Sequence, residues 1–192
     1  MAEFISLAGL RPGMRVLDLG GTPSLWRGVP FPLEITLLNL PGELRPERDS
    51  YHELTFLEGD ACDLGDLPSR DYHLVFSNSV IEHVGPLERR KAFAREVLRI
   101  GTSYWIQTPS RWFPLEAHSY MPFWWQYPDS VRRFFLRRWQ EKLPAWTRMI
   151  AGTTCVDVPE LRELFPGANL LVERSFGIPK SYTVYRLQPG RR

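Results

Sequence analysis

Val16-Leu17-Asp18-Leu19-Gly20-Gly21-Thr22-Pro23-Ser24 is an apolar run that ends in an acid and breaks at once into a glycine turn. It reads as a first strand emptying into a ligand-binding loop. Gly20 and Gly21 lack a Cβ, so the backbone there is free to take positive φ and a ligand can approach the main chain. Asp18 is placed where the strand opens into the crevice beyond the carboxyl ends of an α/β sheet, the place where ligands lie in such sheets. Asp-x-Gly-Gly after a buried strand is also an ordinary turn, and the segments that follow decide between the two.

Residues 33–40 (Leu-Glu-Ile-Thr-Leu-Leu-Asn-Leu) are a second strand-like run, with Asn39 where a second strand offers a polar group to a ribose. Residues 54–60 form a third run ending in Gly59-Asp60. Residues 72–78 form a fourth and turn into Ser79-Val80-Ile81-Glu82-His83-Val84. Between the early strands only brief helices fit, at 24–27 and 46–53. Residues 86–100 read as a full helix, with Pro86 in its first turn, Leu87, Ala94, Val97 and Leu98 inward, and Gly101 as its stop. A fifth strand follows at 103–108. A helix at 159–165, with Leu161, Leu164 and Phe165 inward, then precedes an antiparallel pair at 169–176 and 181–187. Strands alternating with helices predict an α/β sheet covered on both faces.

The composition suits one compact domain over 1–192: 43% apolar, 24% charged, net charge +2. No run approaches the ~20 apolar residues of a membrane span, and the acidic N-terminus lacks a signal peptide's basic start. A cytoplasmic location is expected, with peripheral contact to an anionic membrane through residues 129–148 as an option. Cys62 and Cys155 stand far apart with no metal-type grouping, so neither a disulfide framework nor a metal site is expected.

The series Val-Leu-Asp-Leu-Gly-Gly, Leu-Leu-Asn-Leu, Leu-Glu-Gly-Asp-Ala and Phe-Ser-Asn-Ser-Val-Ile-Glu-His-Val resembles class I S-adenosylmethionine-dependent methyltransferases over roughly residues 10–109, and the segment from Phe76 to Val84 is its most specific piece. The resemblance implies a Rossmann-like methyltransferase fold: a mostly parallel seven-stranded sheet with a C-terminal antiparallel strand and helices on both faces. It implies S-adenosylmethionine as cofactor. Gly20, with Gly21 and Thr22, would lie against the methionine portion, Asn39 and Leu40 would meet the ribose, and Asp60 and Ala61 the adenine. Asn78, Ser79 and Val80 would line the methyl-transfer side. Asp18 would supply a carboxylate for the cofactor's ammonium. A dinucleotide would instead want Gly-x-Gly-x-x-Gly opening into a helix, which is absent here and leaves an NAD-linked oxidoreductase disfavoured. Two departures stand out: Thr22 and Ser24 replace the second and third loop glycines, and Asn39 replaces the usual carboxylate. They keep a catalytically degenerate cofactor-binding or scaffold protein open as an alternative.

Residues 109–150 hold five of the seven tryptophans and much of the basic clustering, and are expected to form a substrate-side insertion or lid. The stretch Trp-Phe-Pro-x-Glu-x-His resembles a segment of some of these methyltransferases. Arg111, Trp112, Tyr120 and Trp124 are the candidate acceptor contacts, against the plainer alternative that the aromatics cover a sheet edge. Of the four histidines, His83 and His118 are placed toward the cleft, while His52 and His73 are expected at the surface. His118 is the favoured base or acceptor-orienting group with Glu116 as its partner, and His83 either joins it or caps the next helix.

Residues 129–148 predict one basic amphipathic helix, with Val131, Phe135, Trp139 and Leu143 at every fourth position and Arg132, Arg133, Arg137 and Arg138 on other faces. It could cover the sheet as a lid, lie on an anionic membrane to reach a lipid-linked acceptor, or bind RNA phosphates. The small net charge disfavours nucleic acid but leaves an RNA methyltransferase as an alternative. The expected activity is methyl transfer to a small-molecule, amphiphilic or lipid-linked acceptor, at oxygen rather than nitrogen, by a monomer or homodimer.

Overall fold

The computed structural model describes residues 2–43 and 51–188. Seven strands form one sheet: β1 (Arg15–Leu19), β2 (Glu34–Asn39), β3 (Glu53–Glu58), β4 (Tyr72–Asn78), β5 (Gly101–Pro109), β6 (Asn169–Ser175) and β7 (Ile178–Arg186). Their order is β3-β2-β1-β4-β5-β7-β6. The first five run parallel, and β7 inserts antiparallel between β5 and β6. The strand order reverses beside β1, which places the β1 and β4 ends at the switch point where α/β sheets open a crevice.

Side-chain alternation along β1 sorts the core into two layers. Leu17 and Leu19 face α3 (Leu87–Ile100) and α6 (Val158–Leu164), packing with Val75, Phe93, Val97, Ile106 and Leu161. Val16 faces α1 (Ala2–Ala8) and α2 (Pro23–Trp26), packing with Phe4, Trp26, Ile35, Phe76 and Trp105. Asp18 has the same parity as Val16 and so enters the second layer. There it is fully buried, and the Trp26 indole donates to its Oδ2 at 2.7 Å.

Most elements predicted from the sequence are present within one or two residues. Pro86 stands one position earlier than predicted, at the cap of α3, and Leu87 is exposed while Phe93 and Arg90 are buried in its place. The predicted short helix at 46–53 lies outside the described residues except for 51–53, where Glu53 already opens β3. The predicted helix at 129–148 is two helices, α4 (Asp129–Gln140) and α5 (Pro144–Gly152). Pro144 lacks an N–H and disfavours helical geometry at the residue before it, and Leu143 is accordingly out of the helical region at φ −135°, ψ 62°. The pair closes on aromatic rings: Trp124 stacks on Trp139 at 5.5 Å, and Trp139 meets Trp146 at 5.0 Å.

His52 is not a surface residue. It is buried between the first loop and β2, with Nδ1 accepting from the Leu33 N–H and Nε2 facing the Trp26 carbonyl at 3.0 Å. His73 is exposed, as expected, and accepts from the Arg15 N–H.

Trp26→Phe retains a ring but removes the donor, leaving a buried carboxyl with neither oxygen hydrogen-bonded. A loss of about 2–3 kcal/mol in urea-unfolding free energy is expected, and an unchanged unfolding midpoint would refute this role for the indole.

Candidate functional site

The loop after β1 is tightly determined. Gly20 has φ +75°, and a Cβ there would stand 2.5 Å from Val80 Cγ2. A Cβ on Gly21 would overlap the Asp18 carboxyl directly beneath it. Both glycines are therefore required, one by backbone conformation and contact and the other by contact alone. Thr22 is in extended geometry at the cap of α2 with Pro23 in the first turn, and its hydroxyl meets that of Ser24 at 2.9 Å. The two missing glycines have become the start of a helix.

Over this loop lies a cavity of about 500 Å³. Gly20, Asn39, Leu40, Asp60, Ala61, Ser79 and Val80 line it from the ends of β1 to β4, together with His83. Arg89 of α3 and Arg148, Met149 and Gly152 of α5 complete the wall. Of the residues assigned to the cofactor from the sequence, Asp18, Gly21, Thr22 and Asn78 are not part of this lining. Asp18 lies below the loop rather than at the mouth of the crevice, for the parity reason given above. Burial pushes its carboxyl up to about 7, against the Trp26 hydrogen bond, and its Oδ1 has no partner.

Asn39 donates from Nδ2 to the Gly21 carbonyl at 3.1 Å, tying β2 to the glycine loop. A carboxylate could not make that bond, which gives the departure from an acidic residue a physical reason. Asp60 accepts from the Cys62 N–H at 2.9 Å and pairs with Arg89 at 2.7 Å. Burial works to raise its pKa, but these partners outweigh it and hold the carboxyl below its ordinary value.

A second cavity of about 430 Å³ opens at the ends of β4, β5 and β7, lined among others by Asn78, Gln107, Glu116, Tyr120 and Trp125. Ser79 lines both cavities. It is held at φ +59° by a backbone bond to the Gln107 carbonyl at 3.0 Å and a side-chain bond to Gln107 Oε1 at 3.1 Å. Non-glycine residues in this conformation cost on the order of 1–3 kcal/mol and concentrate where function demands them.

The two candidate histidines meet between the cavities. His83 Nε2 and His118 Nε2 are 2.8 Å apart. Glu116, buried, faces His118 Nδ1 at 2.8 Å and also accepts from the backbone N–H groups of His118 and Ser119. The Glu116 carboxylate raises the His118 pKa. Burial tends to raise Glu116 itself, but the bonds from His118 and Ser119 hold it low. Burial, with His118 adding, pushes His83 down to about 4. His83 does not cap α3, whose cap is Pro86 without a side-chain bond. Nor does His118 itself line the first cavity; His83 does, and His118 stands behind it.

Sequence inspection missed Glu82, Thr108 and Thr153. Glu82 is 2% exposed, its Oε2 accepts from the Thr108 hydroxyl at 3.0 Å, and its Oε1 lies 4.0 Å from His118 Nε2. Burial pushes it up to about 7. Its position next to His83 was the only signal available.

Among the candidate acceptor contacts, Tyr120 is exposed at the second cavity and Trp112 is exposed with the Arg111 guanidinium 5.5 Å from its ring centre. Trp124 is buried in the aromatic cluster of α4 and α5, so packing there accounts for it. Among the described residues no helix is long and apolar enough to cross a membrane.

No family model and no curated protein matches the sequence. Solved structures match the fold. An S-adenosylmethionine-dependent methyltransferase from Methanosarcina mazei aligns with TM-score 0.53 at 12% identity, over 95% of each chain. The complex between the Haloferax volcanii Trm112 methyltransferase activator and a candidate methyltransferase gives 0.59 at 15% identity, over 97% of this chain and 88% of that one. Magnesium protoporphyrin IX methyltransferase from Synechocystis PCC 6803, with bound S-adenosylhomocysteine, gives 0.51 at 13% identity, over 95% and 78%. This chain has the class I methyltransferase fold, in agreement with its strand order.

Two consequences are measurable. Because the folded state holds the Asp18 proton to about pH 7 while the unfolded chain releases it near its ordinary value of 3.8, the native state binds more protons in between. This group's contribution to stability is therefore greatest at low pH and declines as pH rises through that window. Asp18→Asn removes that slope, by up to roughly 4 kcal/mol, in unfolding free energies measured across the range; parallel profiles for the two proteins would contradict the assignment. Asn39→Asp replaces a donor by a carboxylate facing the Gly21 carbonyl and is expected to cost about 1–2 kcal/mol by chemical denaturation. A stability gain there would show that the bond does not form.

Proposed function

We propose that this protein is an S-adenosylmethionine-dependent methyltransferase acting on a small or amphiphilic acceptor, with oxygen as the favoured methyl-accepting atom. The observation that carries the proposal is the meeting of two cavities at Ser79, one over the glycine loop and one at the β5 and β7 ends. The first is of a size that encloses a ligand such as an adenosyl compound. When bound, that cofactor supplies a methyl group on a sulfonium, which leaves by in-line displacement once the acceptor is aligned.

The residues of the first cavity match its parts. Gly20, bare of a side chain and closed on one side by Val80, presents its backbone in the cavity wall to the methionine portion. Asn39 keeps its Oδ1 as an acceptor for a ribose hydroxyl, and Asp60, charged beside Arg89, offers a carboxylate to an adenine amine. The unpartnered Oδ1 of Asp18 adds an acceptor directly below the loop. An ammonium group drawn toward it would be stabilised through the loop rather than by open contact.

His118, oriented by Glu116, serves as base or acceptor-orienting group through His83, the side chain that reaches the cavity wall. The order carboxylate, imidazole, site is one that makes an imidazole a competent base near neutral pH. Residues 109–150 serve as the acceptor-side lid. Phe134 and Leu143 stand exposed on α4 and just beyond it, in the same segment as the exposed Arg133, Arg137 and Arg138, which favours an amphiphilic acceptor presented at an anionic surface.

Calorimetric titration is expected to show saturable binding of both S-adenosylmethionine and S-adenosylhomocysteine, weakened at least about tenfold in Gly20→Ala. His118→Ala should keep the affinity for S-adenosylhomocysteine and lower turnover by about 10²-fold, read as S-adenosylhomocysteine formed with a panel of hydroxylated and amphiphilic acceptors. Absence of binding by either adenosyl compound would overturn the proposal. Binding with no turnover on any acceptor would favour a cofactor-binding protein without catalysis.

A further inference from the structure

We propose that Glu82, His83 and His118 form a mononuclear site for a divalent transition-metal ion at the junction of the two cavities. One ligand atom from each lies within 4.8 Å of the other two, although His118 is 35 residues away from His83 in the chain. Two imidazoles and one carboxylate are the donor set of catalytic zinc and of mononuclear non-haem iron sites, which keep positions open for other ligands.

The outer partners assign the protons. Glu116 faces His118 Nδ1 and fixes the N–H on that side, so Nε2 carries a lone pair inward. Thr153 Oγ1 gives its own hydrogen to the Met149 carbonyl at 2.9 Å and faces His83 Nδ1 at 3.2 Å, which leaves it to accept the N–H of that ring. His83 Nε2 is then also a lone pair, pointing inward 2.8 Å from the first. Glu82 is held through Oε2 by Thr108, and its Oε1 is buried with no partner at all.

With the outer partners holding both Nδ1 positions, two imidazole nitrogens and a carboxylate oxygen converge on a common space that either a proton shared between the imidazoles or a metal ion can fill, and each ligand already has the outer hydrogen bond that metal-bound histidines and carboxylates characteristically make. Imidazole donors suit zinc, iron, copper or nickel better than magnesium, calcium or manganese. His83 also lines the first cavity, so an ion held here has an approach from the site side. Its use, to hold and acidify a hydroxyl of the acceptor, rests on the methyl-transfer proposal; the site itself does not.

The test is a titration of chelator-treated full-length protein with Co²⁺, followed by its visible absorption, and with Zn²⁺ by competition. Saturation at one equivalent per chain, with a rise in melting temperature, is expected. Affinity should fall at least about 100-fold in His118→Ala and in Glu82→Gln. Glu116→Gln, which touches no metal, should weaken binding by about 10–100-fold and guards against a ligand variant that fails to fold. No saturable binding to the wild-type protein, or binding undiminished in all three variants, would overturn the proposal and leave a shared proton between the two imidazoles. Titration of the same preparation with S-adenosylhomocysteine separates the two proposals. Adenosyl binding without metal would sink this one alone, while metal binding without adenosyl binding would uphold it and sink the methyltransferase reading.

Discussion

The hydrogen bond from the Trp26 indole to the buried Asp18 carboxyl underlies the whole site. It joins the end of β1 to α2 across the loop between them, and the carboxyl in turn forms the floor on which Gly21 rests. Asn39 then fastens the same glycine from β2, and Val80 closes against Gly20 from the turn after β4. Three strands thereby converge on two residues without side chains. A methyl group at Gly20 would meet Val80, and one at Gly21 the Asp18 carboxyl.

The buried acid is costly in isolation, since a carboxyl without water must be neutralised or hydrogen-bonded. Here one oxygen is satisfied and the other is not. Glu82 repeats the pattern in the turn after β4, with one oxygen on Thr108 and one without a partner. Both unsatisfied atoms lie at the carboxyl ends of the parallel strands or in the turns that follow them, where the fold keeps its binding groups. Unsatisfied buried acceptors of this kind are destabilising unless a ligand completes them.

The aromatic insertion has a different logic. Its rings pack mainly on one another, Trp124 on Trp139 and Trp139 on Trp146, so α4 and α5 form a small unit whose core is separate from the two layers of the sheet. Yet Met149 and Gly152 reach the first cavity and Thr153 reaches His83. The segment between β5 and α6 therefore contributes to the wall of both cavities, whatever the acceptor.

Periodicity and turn chemistry alone determined the strands, the long helix, the antiparallel ending and the loop with its two glycines, because alternation, proline and glycine act over a few residues. They also marked Asn39, Asp60 and His83, at or after strand ends, whereas Ser79 and Val80 were implied by the resemblance to methyltransferases. The sequence did not determine which way Asp18 faces, since that depends on Trp26 arriving from the next helix. It did not reveal that His52 is buried, that residues 129–148 bend at Pro144 into two packed helices, or that Glu82 joins the histidines. Those outcomes belong to tertiary structure: burial and side-chain pairing are set by segments 8 to 72 residues apart, and local pattern carries no record of such partners.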